Sequence, residues 1–429
     1  MTPLRVAVIG GGWAGLAAAV ELSSAGAKVT VFEAAKQLGG RARRVEVNGL
    51  CLDNGQHILI GAYRDTLRLM QKVGADPEQL LKRLTLDLNY PGAGFRMKLP
   101  RLPAPLHLAV GLLGAKGCTL SEKFSAVRFM RALQASDYRL KNDCTVSEML
   151  DQHQQHGKLR QFLWEPLCIA ALNTAPENAS AQLFANVLHE SLGGSRAATD
   201  LLLPAADLSA VFPDAAARFI TAHGGQIRLS TRIENLNTNL QVNGENFDQI
   251  ILASAPQHAS ALLAGITETA GIATLLETYT YEPIGTAYLG YPPAVALPSP
   301  MTGLEGNEYG RLGQWTFDRG ALDGQHGVIS FVLSASGNWD QCDNQALANT
   351  LHHELEQTLG RTLPQPLWHQ VIRERRATFS CRPNLPRPAA QTPLPGLWLA
   401  GDYVCAEYPA TLEGAIRSGI AAAQGLLSG

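Results

Sequence analysis

The amino-acid sequence predicts an α/β fold. One domain, built on a parallel sheet, is assembled from separated segments, and a mixed α+β domain is inserted between them. The run from Leu4 to Ile9 is continuously apolar and of strand type. Trp13 to Ala25 has helical character and is followed by Gly26, a helix-stop signal, and Lys28 to Phe32 is a second strand. Together these segments predict one βαβ unit.

Glycines occupy the turn between the first strand and the helix. Gly10 allows a tight turn, Gly12 lets the backbone approach a pyrophosphate, and Gly15 allows the helix to pack closely on the strand. The helix N-terminus then stabilises the anion. Glu33, at the end of the second strand, is placed to accept hydrogen bonds from an adenosine ribose. The unit therefore predicts a Rossmann-type dinucleotide site; the acid disfavours NADP and leaves NAD and FAD open.

Composition excludes several other classes of protein. The 429 residues suggest two or three domains, 46% are hydrophobic, and a net charge of −2 gives no general field for nucleic acid. No run of 18 apolar residues predicts a transmembrane helix. The absence of HExxH and CxxC patterns gives no support for a metal site. Scattered cysteines indicate reduced thiols in a cytosolic protein; they are Cys51, Cys118, Cys144, Cys168, Cys342, Cys381 and Cys405.

A second glycine turn follows the βαβ unit in "QLGGRARR", residues 37–44. Gly39 and Gly40 permit another close backbone turn, and the guanidinium of Arg41 could then reach a phosphate. Taken alone, the same residues also fit a solvated basic loop. The position of the turn, six residues after Glu33, favours phosphate binding.

The third signal lies at the C-terminal end, in "LWLAGDYVCAEYPATLEGAIRSG". Leu397 to Ala400 is predicted as a strand that ends at Gly401-Asp402, and Thr411 to Leu427 is predicted as a helix. The N-terminus of this helix could face the N1–C2=O end of a flavin, and Asp402 could bind a ribityl hydroxyl. An ordinary β-turn-α element is the alternative.

These three elements together resemble the FAD-dependent amine oxidase and phytoene desaturase superfamily, in which FAD lies between a Rossmann-type domain and a substrate domain. The C-terminal Gly-Asp element is absent from nicotinamide dehydrogenases, so the resemblance favours FAD. It implies the following cofactor contacts: Gly10, Gly12, Trp13, Ala14, Gly15, Glu33, Gly39, Gly40, Arg41, Ala42, Ile233, Gly401, Asp402, Thr411, Leu412, Glu413 and Ala415.

The middle of the chain extends the resemblance. "DNGQHILIGAY" (53–63) is similar to plant-type phytoene desaturases, and "RIENLNTNLQVNGENFDQIILASAP" (232–256) looks like the superfamily's return to its FAD domain. Ile233 would lie near the adenine, and Ile250 to Ala253 would be a core strand. The resemblance therefore implies an FAD-binding domain of residues 1–62, 219–260 and 390–429. Residues 63–218 and 261–389 would form the substrate-binding domain.

Two further features concern the substrate. Amine oxidases typically place a tyrosine where this chain has Thr411, which disfavours an amine. "PLCIAALNTAPENASAQLFANVL" (166–188) and "DLLLPAADLSAVFPDAAARFITAHGG" (200–225) resemble the squalene-associated flavoproteins of bacterial hopanoid pathways, the hydroxysqualene dehydroxylases. That resemblance implies reduction of hydroxysqualene to squalene, with a hydride from N5 of the reduced flavin replacing the allylic hydroxyl. Alternatives are a carotenoid or phytoene desaturase and, with less support, an amine oxidase, an isomerase or a non-catalytic flavin-bearing lipid binder.

This reaction needs a proton donor for the leaving hydroxyl. The candidates are Glu407 and Tyr408, close to the Asp402 turn, and His57. Each has a structural alternative: a solvated loop residue, a packed tyrosine and a paired core histidine.

A lipid substrate also implies contact with a membrane. Residues 98–117 are the predicted contact, since the apolar stretch Leu106 to Leu113 is flanked by Lys98, Arg101 and Lys116. A buried segment of the substrate domain is the alternative. The expected location is the cytoplasm, peripherally at the inner face of the cytoplasmic membrane, and the oligomeric state stays open.

Overall fold

The computed structural model describes residues 3–47, 49–305 and 312–428. In chain order the strands are β1 Arg5–Ile9, β2 Lys28–Phe32, β3 Arg44–Val47, β4 Leu50–Asp53, β5 Leu59–Ile60, β6 Leu81–Leu84, β7 Asp87–Tyr90, β8 Phe95–Lys98, β9 Leu201–Pro204, β10 Gln226–Arg228, β11 Gln241–Val242, β12 Glu245–Asn246, β13 Gln249–Leu252, β14 Tyr281–Gly290, β15 Met301–Gly303, β16 Trp315–Asp318, β17 Val328–Ser334, β18 Trp368–Phe379 and β19 Leu397–Leu399.

The α-helices are α1 Trp13–Ser24, α2 Arg64–Lys72, α3 Pro77–Leu80, α4 Leu106–Gly114, α5 Leu120–Ala135, α6 Val146–Gln152, α7 Gly157–Leu159, α8 Glu165–Leu172, α9 Ala181–Leu188, α10 Leu208–Val211, α11 Pro213–Ala222, α12 Pro256–Leu263, α13 Ala270–Glu277, α14 Arg319–Asp323, α15 Asn344–Leu359 and α16 Leu412–Ser428. Two π-helical turns precede α8 and follow α9: the first is Arg160–Trp164 and the second is His189–Gly193.

A parallel sheet carries the βαβ unit that the sequence predicts. Its strand order is β10-β2-β1-β13-β19, and every neighbouring pair is parallel. The central strands are buried apolar runs because α1, α11 and α16 cover them. The strands come from residues 5–32, 226–252 and 397–399, so widely separated stretches of chain build one sheet. The predicted α/β class is confirmed.

Two further sheets and several helices lie outside this parallel sheet. An antiparallel sheet of order β15-β16-β17-β14-β18 forms one wall, and β5, β9 and β6 form a smaller sheet. Helices α8 and α9 and the two π-helical turns contribute a second wall. Within the described residues no helix is long and apolar enough to cross a membrane.

Candidate functional site

A cavity of about 940 Å³ lies at the carboxyl ends of β1, β13 and β19. Parallel strands point their carboxyl ends to the same edge, and ligands of open α/β sheets bind there. Its lining changes character along its length: glycine turns and polar groups lie at the sheet edge, and apolar side chains lie farther away. We call these two parts the cofactor end and the lipid end.

Gly10 in the turn after β1 and Gly15 in α1 leave no room for a Cβ. Gly10 has a φ of +113°, and a Cβ there would lie 2.6 Å from the carbonyl oxygen of Ala253, directly after β13. At Gly15 a Cβ would lie 2.0 Å from the carbonyl oxygen of Gly10. The helix therefore packs directly on the turn, which is the role the sequence predicts for Gly15. Gly15 does not itself line the cavity.

The two glycine turns are joined to each other at the cofactor end. The N–H of Gly39 donates to the carbonyl of Gly11 at 2.9 Å, and Gly12 lies opposite Gly40. No side chain in the described part of the chain caps the N-terminus of α1, which begins after Gly12. Its backbone N–H groups therefore remain available to an anion. This cradle fits the pyrophosphate of a dinucleotide.

The acid at the end of β2 faces the same cavity. One carboxylate oxygen of Glu33 accepts from the N–H of Gly11 at 2.7 Å, and the other accepts from the N–H of Ala35 at 2.8 Å. These bonds fix the carboxylate beside the glycine turn, and its remaining lone pairs are free to accept from a ribose. Ile233, across the cavity, is the expected neighbour of the adenine.

Arg41 and Asp402 form a pair that links the two ends of the chain. Nη2 of Arg41 donates to Asp402 at 2.8 Å, and Nη1 donates to the carbonyl of Ala377 at 2.7 Å. Both side chains line the cavity. The sequence assigned them separate partners, a phosphate and a ribityl hydroxyl, whereas the fold brings them into contact.

Most of the sequence-predicted contacts meet at this cavity. Those that line it are Gly10, Gly12, Trp13, Ala14, Glu33, Gly39, Gly40, Arg41, Ala42, Ile233, Gly401, Asp402, Thr411, Leu412 and Ala415, together with His57 and Tyr408. The sequence reasoning missed Arg232, Arg375 and Arg376, which also line the cavity. Arginines on exposed strand and loop positions carry no motif, so only the fold identifies them.

Two residues of the C-terminal motif lie in positions other than those that the sequence predicts. The carboxylate of Glu413 is fully buried and accepts from the N–H groups of Asp65 and Thr66 at 3.1 and 3.0 Å. It ties α16 to the N-terminus of α2 and lies outside the cavity lining, so its role is structural. Glu407 is exposed on the loop before Tyr408 and also lies outside the lining, which removes it as a proton donor.

His57 reaches the cavity but is poorly suited to donate a proton. Its Nδ1 lies 2.7 Å from the carbonyl oxygen of Gly55, so in the neutral ring Nδ1 carries the hydrogen and Nε2 is an acceptor. Burial lowers the pKa of His57. The neutral ring therefore prevails near pH 7 and offers the cavity a lone pair.

A buried polar network lies beneath His57. Nη1 of Arg319 lies 3.4 Å from the carboxylate of Asp53 and 3.3 Å from Oε1 of Gln56, and both charged side chains are at most 1% exposed. Gln56 in turn donates to the carbonyl of His57 at 3.3 Å. Burial raises the pKa of Asp53 to about 6. The network ties the "DNGQH" segment to α14.

Tyr408 and a residue the sequence reasoning missed, Glu190, stand where the cofactor end meets the lipid end. Both line the cavity, and Glu190 lies on the second π-helical turn. The guanidinium of Arg417 lies 4.2 Å from the centre of the Tyr408 ring. Burial raises the pKa of Tyr408 well above its ordinary value, and the carboxylate of Glu190 acts in the same direction.

The lipid end is lined mainly by large apolar side chains from separate elements. They come from β5, β7 and the residues just before these strands, from β9, β15, β16, α8 and α9, and from the two π-helical turns: Ile58, Ile60, Leu86, Leu88, Leu163, Leu167, Val187, Leu192, Leu201, Met301, Trp315 and Phe317. Such a lining suits a long hydrocarbon with few polar groups. π-Helical turns occur frequently at functional sites, and here both contribute to the wall.

A dinucleotide cradle that opens into an apolar chamber defines a flavin-dependent oxidoreductase. The model of the family described as flavin containing amine oxidoreductase matches residues 13–427, and the chain belongs to this family. Its cofactor is FAD, and the glycine cradle and uncapped α1 fit that group. A solved structure of a putrescine oxidase double mutant has the same fold, with a TM-score of 0.72 at 15% identity over the whole of both chains.

Within the family, the sequence is similar to hydroxysqualene dehydroxylases along its whole length. The hydroxysqualene dehydroxylase of Rhodopseudomonas palustris is 30% identical, over 99% of this chain and 98% of its own. That of Sinorhizobium fredii is 28% identical, over 99% of both chains.

Proposed function

We propose that this FAD-dependent oxidoreductase reduces hydroxysqualene to squalene. The observation that carries the proposal is the continuity of one cavity from the glycine cradle to the apolar wall, which lets a long lipid reach a flavin. The full-length similarity to hydroxysqualene dehydroxylases supports the same substrate. Thr411 supports it further, because it stands where amine oxidases typically place a tyrosine.

The chain's own residues bind, orient and exclude water. The glycine turns and the N-terminus of α1 would hold the pyrophosphate, Glu33 the adenosine ribose, and Asp402 with the N-terminus of α16 the flavin half. When bound and reduced, FAD supplies the hydride that replaces the hydroxyl. The apolar lining would hold the allylic carbon in place and keep bulk water from competing for it.

We assign the cofactor to residues 1–62, 219–260 and 390–429, and the lipid to residues 63–218 and 261–389. The three stretches that build the parallel sheet fall in the first set. The apolar lining comes largely from the second set, with Ile58 and Ile60 at the boundary.

We also propose that the protein contacts the cytoplasmic membrane from its inner face, through the outer surface of α4 and the start of α5. Exposed apolar side chains cluster there: Leu102, Leu106, Val110, Leu113, Leu120 and Phe124. Lys98, Arg101 and Lys116 lie beside them, which suits anionic headgroups.

The inner face of α4 leads toward the cavity. Gly111 packs against Leu99, whose N–H donates to the carbonyl of Leu86 at 3.0 Å, and Leu86 lines the lipid end. A short chain of contacts therefore joins the inner face of α4 to the lipid end, which supports this side of the molecule as the entry for a substrate drawn from the bilayer.

The test is anaerobic mixing of the photoreduced holoenzyme with hydroxysqualene. The expected result is reoxidation of the flavin together with squalene, identified by mass spectrometry. A parallel reaction mixes the oxidised holoenzyme with phytoene. Flavin reduction and a desaturated product there, without squalene in the first reaction, would identify a desaturase and overturn the proposal.

A further inference from the structure

Glu190 projects from an irregular part of the backbone into the cavity. It lies on the second π-helical turn, a type of irregularity that is frequent at functional sites, and it lines the cavity. The cavity wall also includes Val187 on the preceding α9, Leu192 on the same π-helical turn and Leu167 on α8. The carboxyl group therefore stands beside the apolar lining of the lipid end.

The guanidinium of Arg417 lies close to three carboxylates at this point. Arg417 donates from Nε to Glu413 at 2.9 Å, while the same Nε lies 3.4 Å from Asp65 and Nη2 lies 3.8 Å from Glu190. Glu413 is fully buried and also accepts from Thr66 through both its N–H and its hydroxyl. Glu190 is the partner that Arg417 holds least closely, and it is the one that faces the cavity.

Tyr408 supplies an independent sign of a ligand at the same place. It is 8% exposed, it lines the cavity, and its hydroxyl makes no hydrogen bond of ordinary geometry within the described residues, although the carboxylate of Glu190 stands near enough to raise the pKa of Tyr408. A buried hydroxyl without a partner is costly, so an oxygen-bearing ligand at this position would satisfy it. Arg417, stacked on its ring, brings Tyr408 and Glu190 to the same side of the cavity.

Three other carboxylates line the cavity, at Glu33, Glu374 and Asp402, and two of them are already engaged. Asp402 accepts from Arg41, and Glu33 accepts from the N–H groups of Gly11 and Ala35. Both lie at the cofactor end, away from the apolar wall.

We propose that Glu190 is the catalytic proton donor and that Tyr408 holds the oxygen of the substrate alcohol beside it; this assignment rests on the function proposed above. Glu190, whose side chain is 30% exposed, takes up a proton from solvent, and this proton passes from its carboxyl group to the allylic hydroxyl. The C–O bond then breaks with both electrons leaving on oxygen, and water departs. The carbon gains the hydride that reduced FAD supplies, so the substrate is reduced by two electrons, the cofactor is oxidised, and Glu190 is left as a carboxylate.

The first test compares holoenzymes carrying Glu190→Gln, Glu190→Asp and Glu268→Gln, the last being a charge-matched change at an exposed glutamate. In single turnovers with hydroxysqualene, Glu190→Gln should lower the rate by about 10²–10⁴-fold, the usual contribution of a general acid. Glu190→Asp should restore part of the rate, and Glu268→Gln should match wild type. FAD content, melting temperature and hydroxysqualene affinity of the oxidised enzyme should be unchanged.

The second test measures the protonation of Glu190 by infrared spectroscopy. The infrared difference spectrum of the oxidised holoenzyme with and without hydroxysqualene should show a carboxylic-acid C=O band that Glu190→Gln removes. Glu374→Gln, at another carboxylate of the lining, should leave the band in place.

Persistence of the band in Glu190→Gln, its loss in Glu374→Gln, or a Glu190→Gln rate within twofold of wild type would overturn the assignment. If wild type forms no squalene, the proposed function fails, and the infrared band still decides whether Glu190 presents a proton to an alcohol.

Discussion

The two ends of the cavity are built in opposite ways. The cofactor end uses backbone from short contiguous motifs: two glycine turns, joined by the Gly39–Gly11 hydrogen bond, and the N-termini of α1 and α16. The lipid end uses side chains from strands, two α-helices and two π-helical turns that lie far apart in the chain. The cofactor end is therefore defined locally, and the lipid end only by tertiary packing.

This difference bears on tolerance to mutation. A backbone cradle fails when any side chain enters it, because the close approaches involve backbone atoms that cannot move aside. An apolar wall distributes its contacts over many side chains, so single changes there should reshape the chamber without unfolding the protein. Substitutions at the cofactor end should therefore lower FAD binding, and substitutions at the lipid end should lower the affinity for the lipid.

The largest effect on stability is expected at Arg319, in the buried polar network beneath His57. Arg319→Met removes the charge that compensates Asp53 in a site where both are almost fully buried. Breaking such a pair costs about 3–5 kcal/mol of unfolding free energy. Urea unfolding should show this loss, whereas Arg218→Met, at an exposed arginine of α11, should change stability by less than about 0.5 kcal/mol. Equal effects in the two variants would contradict the importance of the buried pair.

The same pair should make the unfolding free energy depend on pH. The pKa of Asp53 is raised from 3.8 to about 6, so between these values the folded protein holds a proton that the unfolded chain has lost. The contribution of Asp53 to the unfolding free energy is therefore greatest below pH 4 and falls as pH rises through 6. Asp53→Asn should abolish this component of the pH profile, and Asp137→Asn, at an exposed position, should retain it.

At the cofactor end, Gly15→Ala should cost about 3 kcal/mol and release FAD, because the new Cβ meets the backbone of Gly10. Gly26→Ala is the matched control in the same βαβ unit. Gly26 has a φ of +84°, and no atom lies within 4 Å of the position that a Cβ would take, so only about 1 kcal/mol of backbone strain is expected. The readouts are bound FAD per chain and melting temperature. FAD retention in Gly15→Ala would contradict the close-packing role.

At the lipid end, Ala171→Phe should narrow the chamber beside α8 without disturbing the glycine cradle. The apparent affinity for hydroxysqualene should fall by about 10–100-fold, with FAD content unchanged. Ala171→Val should give a smaller loss in the same direction. A loss of FAD in these variants would show that the two ends are not separable.

The smallest effect is expected at the proposed membrane surface. The triple change Leu106→Ser, Val110→Ser and Leu113→Ser affects exposed side chains, so vesicle binding should fall by about tenfold with the melting temperature retained. Leu108→Ser with Leu112→Ser is the contrast, since these residues are 7% and 1% exposed and should lower the melting temperature instead. Co-sedimentation with vesicles of anionic phospholipid measures the first effect. Undiminished binding by a folded triple variant would remove this surface from the proposal.

Local motifs predict much of this protein. The strands β1 and β2, the helices α1 and α16, and the strand β19 lie within a residue or two of their expected bounds. They are predictable because strong apolar periodicity and glycine turns act over a few neighbouring residues. The same sequence reasoning placed Glu413 on the cofactor and Glu407 near the chemistry. It could not know that α2 presents its N-terminus to Glu413, or that the loop turns Glu407 outward.

The sequence by itself determined the dinucleotide cradle and, by resemblance, FAD and the lipid substrate. Only the tertiary structure decided that Arg41 meets Asp402, that α4 hides Leu108 while exposing Val110, and that Glu190 faces the cavity beside Tyr408. The physical reason is the distance along the chain over which each interaction acts. A glycine turn acts through its own backbone, whereas the surroundings of a carboxylate or a leucine depend on elements that are hundreds of residues away in the chain.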